Sequence, residues 1–358
     1  MRFPLALCVA AALQAQPVPR YVGSVACQAC HPGQFAAQSA TAHAGALFRA
    51  TDHPLATTLP LGQTLLRKPG YQLTVSKRET GFATTLRNAT QLMELPLEWA
   101  FGAGRQAITF VSRVSPDWYV EHYATWYSAP NAWGPTPGQD TLQPADIAQA
   151  AGQLYKTTNP ETGIDGCFAC HSTGPLAFGP ANEIQPREPG VRCEACHGPG
   201  SQHTSRPAQT NIGNPARQNA VQINEFCGKC HRPPAANGNA TDWNHAWNVR
   251  HQPVYLSQAA CFRKSDGALS CLTCHGPHET SAAPNTLAVY NSRCQACHAA
   301  SLRPPAPTCQ TNCVDCHMPR VSPQASLSFT NHWIGIYRDG AKLKPAPPRP
   351  ARPPVGPQ

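Results

Sequence analysis

Cys193-Glu194-Ala195-Cys196-His197 is one of seven copies of the pattern C-x-x-C-H in a chain of 358 residues, and this pattern decides how the chain is read. Five more stand with it between residues 167 and 317: Cys167/Cys170/His171, Cys227/Cys230/His231, Cys271/Cys274/His275, Cys294/Cys297/His298 and Cys313/Cys316/His317. The seventh, Cys27/Cys30/His31, stands alone near the N-terminus. Two cysteines at this spacing can form thioether bonds to the two vinyl groups of a haem, and the histidine that follows then lies under the ring as an axial ligand to iron. Chance would give roughly 0.04 copies in a chain of this composition. A zinc site takes its remaining ligands from a second, distant pair and needs no histidine directly after the second cysteine. A redox dithiol or a disulfide framework has no use for that histidine either. The expected cofactor is therefore haem c, seven copies, covalently attached.

Composition agrees with a chain that packs around cofactors. Only 13% of the residues are charged, 38 are prolines, and long aliphatic runs are few. Seven porphyrins can supply the apolar mass that leucine and isoleucine supply elsewhere. The fold class expected is a mainly α multihaem cytochrome c with much irregular coil and a small antiparallel β insertion. The formal charge of +9 suggests an anionic partner until haem is counted. Each haem with two histidine ligands adds about −1 when ferric and about −2 when ferrous, which brings the mature holoprotein to roughly +1 oxidised and roughly −6 reduced. Nucleic acid is dropped as a partner on that ground.

Along the chain, residues 1–15 read as a signal peptide, with Arg2 before an apolar run over residues 3–13 and cleavage after Ala15. That run is too short to span a bilayer. The competing reading, a buried terminal helix, sits badly with Pro17 and Pro19. Cys8 follows the bulky Leu7, so no lipid anchor is expected. The mature protein is expected in the periplasm or outside the cell, with no transmembrane segment. Residues 16–60 form a first haem module, whose helix over 34–48 carries His43. Residues 61–135 form a β-rich insertion, with strands over 71–75, 82–86, 108–114 and 118–127. Residues 136–340 hold the six-haem array, preceded by a turn-rich linker and a short helix over 145–156. An array of about 150 residues has a radius of gyration near ~15 Å, so its haems must be close neighbours. Residues 341–358 are a proline-rich basic tail, read as extended or disordered.

The second axial ligand decides function, because a haem with one histidine is open to exogenous ligands and a haem with two is closed. Outside the motifs lie His43, His53, His122, His203, His245, His251, His278 and His332. The backbones of two histidines on opposite faces of one haem are roughly 12 Å apart, and three extended residues cover only about 10 Å. His278, three residues after His275, therefore cannot close its own haem. His43, His203, His278 and His332 are expected to serve haems other than the one just upstream. His245 and His251 complete the set of candidate distal ligands, while His53 and His122 read as packed or surface residues. Six histidines for seven irons would leave one haem five-coordinate, and Met93 and Met318 are poor substitutes. Cys261 and Cys309 remain outside the motifs, either as one disulfide or as two free thiols.

With these residues in view, the chain resembles multihaem c-type cytochromes related to the tetrahaem electron carrier of hydroxylamine oxidation, a group akin to pentahaem and octahaem nitrogen-cycle cytochromes. The likeness rests on Tyr21-Val22-Gly23-Ser24 before Cys27 and on Cys167-Phe168-Ala169-Cys170-His171-Ser172-Thr173-Gly174. Gly190-Val191-Arg192 before Cys193, with Gly198-Pro199-Gly200 and His203 after it, adds to it. So do Cys274-His275-Gly276-Pro277-His278 and Cys316-His317-Met318-Pro319-Arg320. It leaves out the strand-rich part. The resemblance implies mostly bis-histidine haems, in stacked and perpendicular pairs, in a bacterial periplasm. Two family features are missing: the lysine ligand of the nitrite reductases, since every motif here ends in histidine, and an assignable crosslinking tyrosine. The expected function is electron relay through closely spaced haems, exchanging electrons with redox proteins or a membrane quinol-linked donor, with no catalytic residue assigned. The alternative is a redox enzyme acting on a small nitrogen or sulfur compound at one five-coordinate haem. A third reading is a subunit of a larger haem-wire assembly.

Overall fold

Tyr71–Arg78 and Leu92–Leu97 alternate more buried with more exposed side chains, the period of two of a strand with one face on the core. The computed structural model describes residues 18–232, 241–279, 286–298 and 312–347. The expected signal segment, Cys309 and residues 348–358 lie outside them. Four strands, β2 (Thr64–Arg67), β3 (Tyr71–Arg78), β4 (Gly81–Arg87) and β5 (Leu92–Leu97), pair in sequence order as one antiparallel sheet. A seven-stranded sheet is built from β1 (Leu47–Arg49), β6 (Trp99–Phe101), β7 (Ala107–Ser115), β8 (Trp118–His122), β9 (Ala124–Tyr127), β10 (Ala132–Pro135) and β11 (Gly152–Lys156). Its main path runs β1-β6-β7-β8-β11, and β9 links β7 to β10.

The two sheets bury their facing sides against each other. Val75, Phe82 and Leu97 meet Ile108, Phe110, Trp126 and Trp133 in one cluster. Leu73 and Leu86 meet Val120, Tyr123 and Ile147 in a second. The opposite side of the larger sheet is apolar too, and this face positions the haem-binding part. Leu47, Trp99, Val111 and Tyr119 pack with Ile164, Phe168 and Ile184. Phe168 is the second residue of a C-x-x-C-H motif, fully buried edge-on against Trp99 and Phe101, with ring centres 5.4 and 5.0 Å away.

The fold is therefore not mainly α, and its β structure is more than a small insertion: 31% is helical and 25% is strand. The expectation leaned on the scarcity of aliphatic runs. The strands instead draw their apolar surface from tyrosine, tryptophan and phenylalanine in short alternating segments. Strand structure also continues past the expected block, in the pairs Ser172–Thr173 with Glu188–Pro189 and Ala177–Phe178 with Ile184–Gln185, and in the hairpin Arg320–Gln324 with Leu327–Thr330.

Two expected helices are shorter than alanine content suggests. The first covers Pro32–Ser39 only. Thr41 then donates its hydroxyl to the Gln38 carbonyl and accepts from the Ala44 amide, a local alternative to helix, and Leu47–Arg49 pairs with Trp99–Phe101. The second covers Ile147–Ala151, capped by the Asp146 carboxylate on the Gln149 amide, and gives way at Gly152 to β11. A Cβ on Gly152 would stand 2.0 Å from the Glu121 carbonyl oxygen, so only glycine allows this approach. At the C-terminal end, residues 341–347 are tied down rather than extended in solvent. The Asn331 side chain donates to the carbonyls of Lys342 and Leu343, and the Ala346 amide donates to the Ile336 carbonyl.

Candidate haem-binding sites

The motif helices put attachment and ligation chemistry on one side. In Asp165–His171, Cys193–His197, Ala220–His231, Thr286–His298 and Cys313–His317, the first cysteine, the second three residues on and the histidine four residues on share a helix face. The helix Cys271–Cys274 ends one residue earlier, at its second cysteine. Ala220–His231 is, after Thr286–His298, the longest helix that ends at a motif histidine, and it starts with a capping box between Asn219 and Gln222.

The N-terminal motif departs from this pattern at Cys30. Val25–Gln28 forms a single turn that contains Cys27, and the His31 amide still donates to the Cys27 carbonyl at 2.9 Å. Cys30, expected to carry the second thioether of this motif, lies past the end of that turn and is exposed. Pro32 gives the reason: it has no amide hydrogen to offer the Gln28 carbonyl, so the turn cannot run on, and a new helix starts at Pro32 itself. His31 before it takes a non-helical backbone, with φ −125° and ψ 52°. Among the described residues no hydrogen bond joins the Cys30 thiol to another motif, so its part in attachment rests on spacing alone and not on packing.

Four histidines outside the motifs stand opposite motif histidines. Ring centres are 6.3 Å apart for His31 and His203, 6.0 Å for His43 and His231, 6.1 Å for His197 and His278, and 6.2 Å for His275 and His332. Metal–imidazole bonds of about 2 Å on each side, with about 1 Å from nitrogen to ring centre, set two axial imidazoles about 6 Å apart. All four pairs have that spacing. In each, the outside histidine meets a motif other than the one just upstream of it.

Hydrogen bonds fix which ring nitrogen is available. A carbonyl can only accept, so Nδ1 is the donor in His171 to Ala46 (3.0 Å), His197 to Gly213 (2.7 Å), His203 to Ala208 (3.0 Å), His317 to Gly335 (2.8 Å) and His332 to Thr330 (3.0 Å). Each leaves Nε2 with its lone pair free for a metal. Burial lowers the pKa of His43, His171, His275 and His278, and takes that of His332 down to about 4. A neutral imidazole is the form that binds iron.

The remaining histidines are placed differently. His53 donates Nε2 to the Gly102 carbonyl at 3.1 Å and accepts the Leu55 amide on Nδ1 at 3.0 Å, so both nitrogens are engaged by backbone. His122 is fully buried, with Nε2 on the Ser112 hydroxyl at 2.9 Å and Nδ1 without a hydrogen-bond partner. His245 is exposed and precedes the short turn Ala246–Arg250. His251 has a buried Nε2 without a partner and lies beside Arg232 and Arg250. Neither stands opposite a motif histidine among the described residues.

The motifs are also brought to one another. The thiols of Cys27 and Cys193, of Cys170 and Cys230, of Cys227 and Cys271, and of Cys294 and Cys313 are in hydrogen-bond contact, each pair joining two different motifs. The Asn224 side chain accepts the Cys271 amide, and the Asn291 side chain accepts the Cys313 amide, so two of these same junctions carry a second polar contact. Cys261 is a free thiol near Cys274 and Cys297, and its expected partner Cys309 is outside the described residues.

Two carboxylates that motif spacing does not single out hold the N-terminal segment in place. Glu194, one of the variable residues inside its motif and only 3% exposed, accepts the amides of Val22 (3.0 Å), Gly23 (2.7 Å) and Gly200 (2.7 Å). Glu188 accepts the Ser24 amide at 3.1 Å and its hydroxyl. These bonds carry His31 to His203 across a long loop of chain. His43 is carried to its place by the Val191 amide, which donates to the His43 carbonyl at 2.8 Å. Gly190 makes this approach possible: its φ is +83° and a Cβ there would lie 2.1 Å from the Ala44 carbonyl oxygen.

Comparison with known proteins agrees with this chemistry. Residues 121–198 match the family model for cytochrome c554 and c-prime, a stretch that includes two C-x-x-C-H motifs. The multiheme cytochrome MtrA of Shewanella baltica (strain OS185) is 25% identical over 211 residues, which are 54% of this chain and 57% of that protein. The chain thus spans little more than half the length of the curated relative it matches. Two solved structures have a TM-score of 0.48. The outer cell wall cytochrome OcwA is 17% identical, with 88% of this chain and 79% of that one covered. The undecaheme cytochrome from the S-layer of Carboxydothermus ferrireducens is 18% identical, with 86% and 52% covered. The chain is thus similar to multihaem c-type cytochromes over part of its length. No helix among the described residues is long and apolar enough to cross a membrane.

Proposed function

We propose that the protein is an exported electron-relay cytochrome with seven haems c, one on each C-x-x-C-H motif. At least four are closed by the histidine pairs His31/His203, His43/His231, His197/His278 and His275/His332. The observation that carries this reading is the common spacing of those pairs, 6.0–6.3 Å between ring centres. Haem iron, when bound, supplies one-electron exchange between ferric and ferrous states. The chain's own part is to orient His197, His203 and His332 through Nδ1 hydrogen bonds and to favour the neutral form of His43, His275, His278 and His332 by burial, so that little rearranges when an electron arrives. The thiol contacts between motifs support a sequence of neighbouring attachment sites: Cys27 to Cys193, Cys227 to Cys271, with Cys170 beside Cys230 and Cys294 beside Cys313. A set of closed, adjacent carriers suits relay between redox proteins or from a membrane quinol-linked donor, in the periplasm or outside the cell. The narrower kinship with the tetrahaem carrier of hydroxylamine oxidation belongs to this proposal as well.

Carbon monoxide tests it. It binds ferrous haem only where a coordination position is open. The dithionite-reduced holoprotein should take up at most three carbon monoxide molecules per chain, as read from the difference spectrum. Uptake by four or more would remove the paired-histidine relay and favour an enzyme with open haems.

A further inference from the structure

One half-buried acid lies beside a haem attachment cysteine and has no part in holding haem. Glu121, on β8, is half-buried, and its charge reaches Cys167 on the motif helix Asp165–His171. Its Oε2 accepts from the Gln139 side-chain amide at 3.1 Å and from the Tyr155 hydroxyl at 3.4 Å. Both donors are neutral. Gln139 is fully buried, and its own Oε1 has no hydrogen-bond partner, an acceptor waiting in the same cluster. The groups that perturb Glu121 include no cationic side chain; burial raises its pKa, and the two hydrogen bonds only partly offset this. The elements packed around it contribute Tyr155 from β11, Tyr127 from β9 and Cys167 from the motif helix, each of which feels the Glu121 charge. Cys167 bonds to porphyrin rather than iron in the haem reading, so its thiol does not titrate in the holoprotein.

We propose that Glu121 is a redox-linked proton site: it takes up one proton when the iron of the haem on Cys167 and Cys170 is reduced, and releases it on oxidation. This rests on the haem reading above. The step balances as one electron from a neighbouring haem to ferric iron and one proton from water to the Glu121 carboxylate, giving ferrous iron and a neutral carboxylic acid. The physical reason is charge. Partial burial without a cation already disfavours the carboxylate, and one more negative charge close by makes the ionised form costlier still. Protonation cancels the added electron.

Holoprotein is the material for the test, with haem occupancy at Cys167/Cys170 first read from peptide mass. Redox titration at a series of pH values should show one haem equivalent whose reduction becomes tenfold harder per unit rise in pH, about 59 mV for one electron. The reduced-minus-oxidised infrared difference spectrum should show the carbonyl band of a protonated carboxylic acid. E121Q should lose both while keeping its haem count. Y155F, which removes one donor to the carboxylate and leaves the acid in place, should move the pH window upward and keep the slope. Full haem occupancy with no carboxylic band in the wild type, or with band and slope retained in E121Q, overturns this proposal alone. Absence of haem at Cys167/Cys170 overturns the haem reading and this proposal together.

Discussion

His278 stands three residues after His275, and a chain that short cannot carry it over its own haem. The structure brings it to His197, with ring centres 6.1 Å apart. In the bis-histidine reading, His278→Ala should turn one low-spin haem high-spin, the one on Cys193 and Cys196, and leave the haem on Cys271 and Cys274 unchanged. An unchanged fully low-spin spectrum would mean that His278 is not a ligand. His122 makes a prediction of a different kind. It is fully buried, and burial lowers its pKa to about 4 from an ordinary 6.5. Between those values the unfolded chain binds a proton that the folded chain does not, so stability falls as pH drops through that window. The loss is absent above about pH 6.5, complete below about pH 4, and roughly 3 kcal/mol in size. His122→Phe should flatten the pH dependence of the thermal midpoint in that range. A wild-type midpoint that does not fall between pH 6.5 and 4 would show that His122 is not held neutral.

At the scale of elements, the strands over 71–75, 82–86, 108–114 and 118–127 are legible because alternation and aromatic content survive locally. The last of them divides at Tyr123 into β8 and β9. Residues 34–48 and 145–156 misled because alanine content favours helix, whereas Thr41 stops the first locally and tertiary signals carry each segment on into strand. One signal is the pairing of Leu47 with Phe101, and the other is the close approach of Gly152 to Glu121. The C-x-x-C-H positions are readable from spacing alone, but spacing does not tell which of them sit on a helix: Cys30 falls off its turn because Pro32 follows so soon. The docking role of Glu194 and Glu188 is not readable at all, since their N-terminal partners lie more than 160 residues away along the chain. Glu194 offers the test at this scale. Losing the amide bonds of Val22 and Gly23 to this buried carboxylate should cost the docked N-terminal segment about 2 kcal/mol. Glu194→Ala should therefore lower the denaturant midpoint and loosen His31 from His203. If the midpoint and the haem spectrum both stay at wild-type values, the carboxylate is not what holds that segment.

For the whole molecule, two packed sheets form an apolar block whose outer face seats Phe168, and beyond it the chain is held by a smaller apolar cluster of Val249, Val254, Tyr255 and Val321, by polar contacts and by histidines that cross between distant motifs. Ligation would then take over much of the work of a hydrophobic core in that half. Failure to attach haem should leave the sheets folded and the motif-bearing half open to protease, which limited proteolysis of chain made without the haem-attachment machinery would detect. Equal protection of both halves would contradict that division. Intact mass of the mature holoprotein should correspond to seven haems, and fewer would remove motifs from the relay. The paired histidines themselves are reached most directly by resonance Raman of the oxidised holoprotein, where marker bands separate six-coordinate low-spin from five-coordinate or high-spin iron. The account predicts that at least four of the seven irons are six-coordinate and low-spin. More than three irons in the five-coordinate or high-spin class would contradict it.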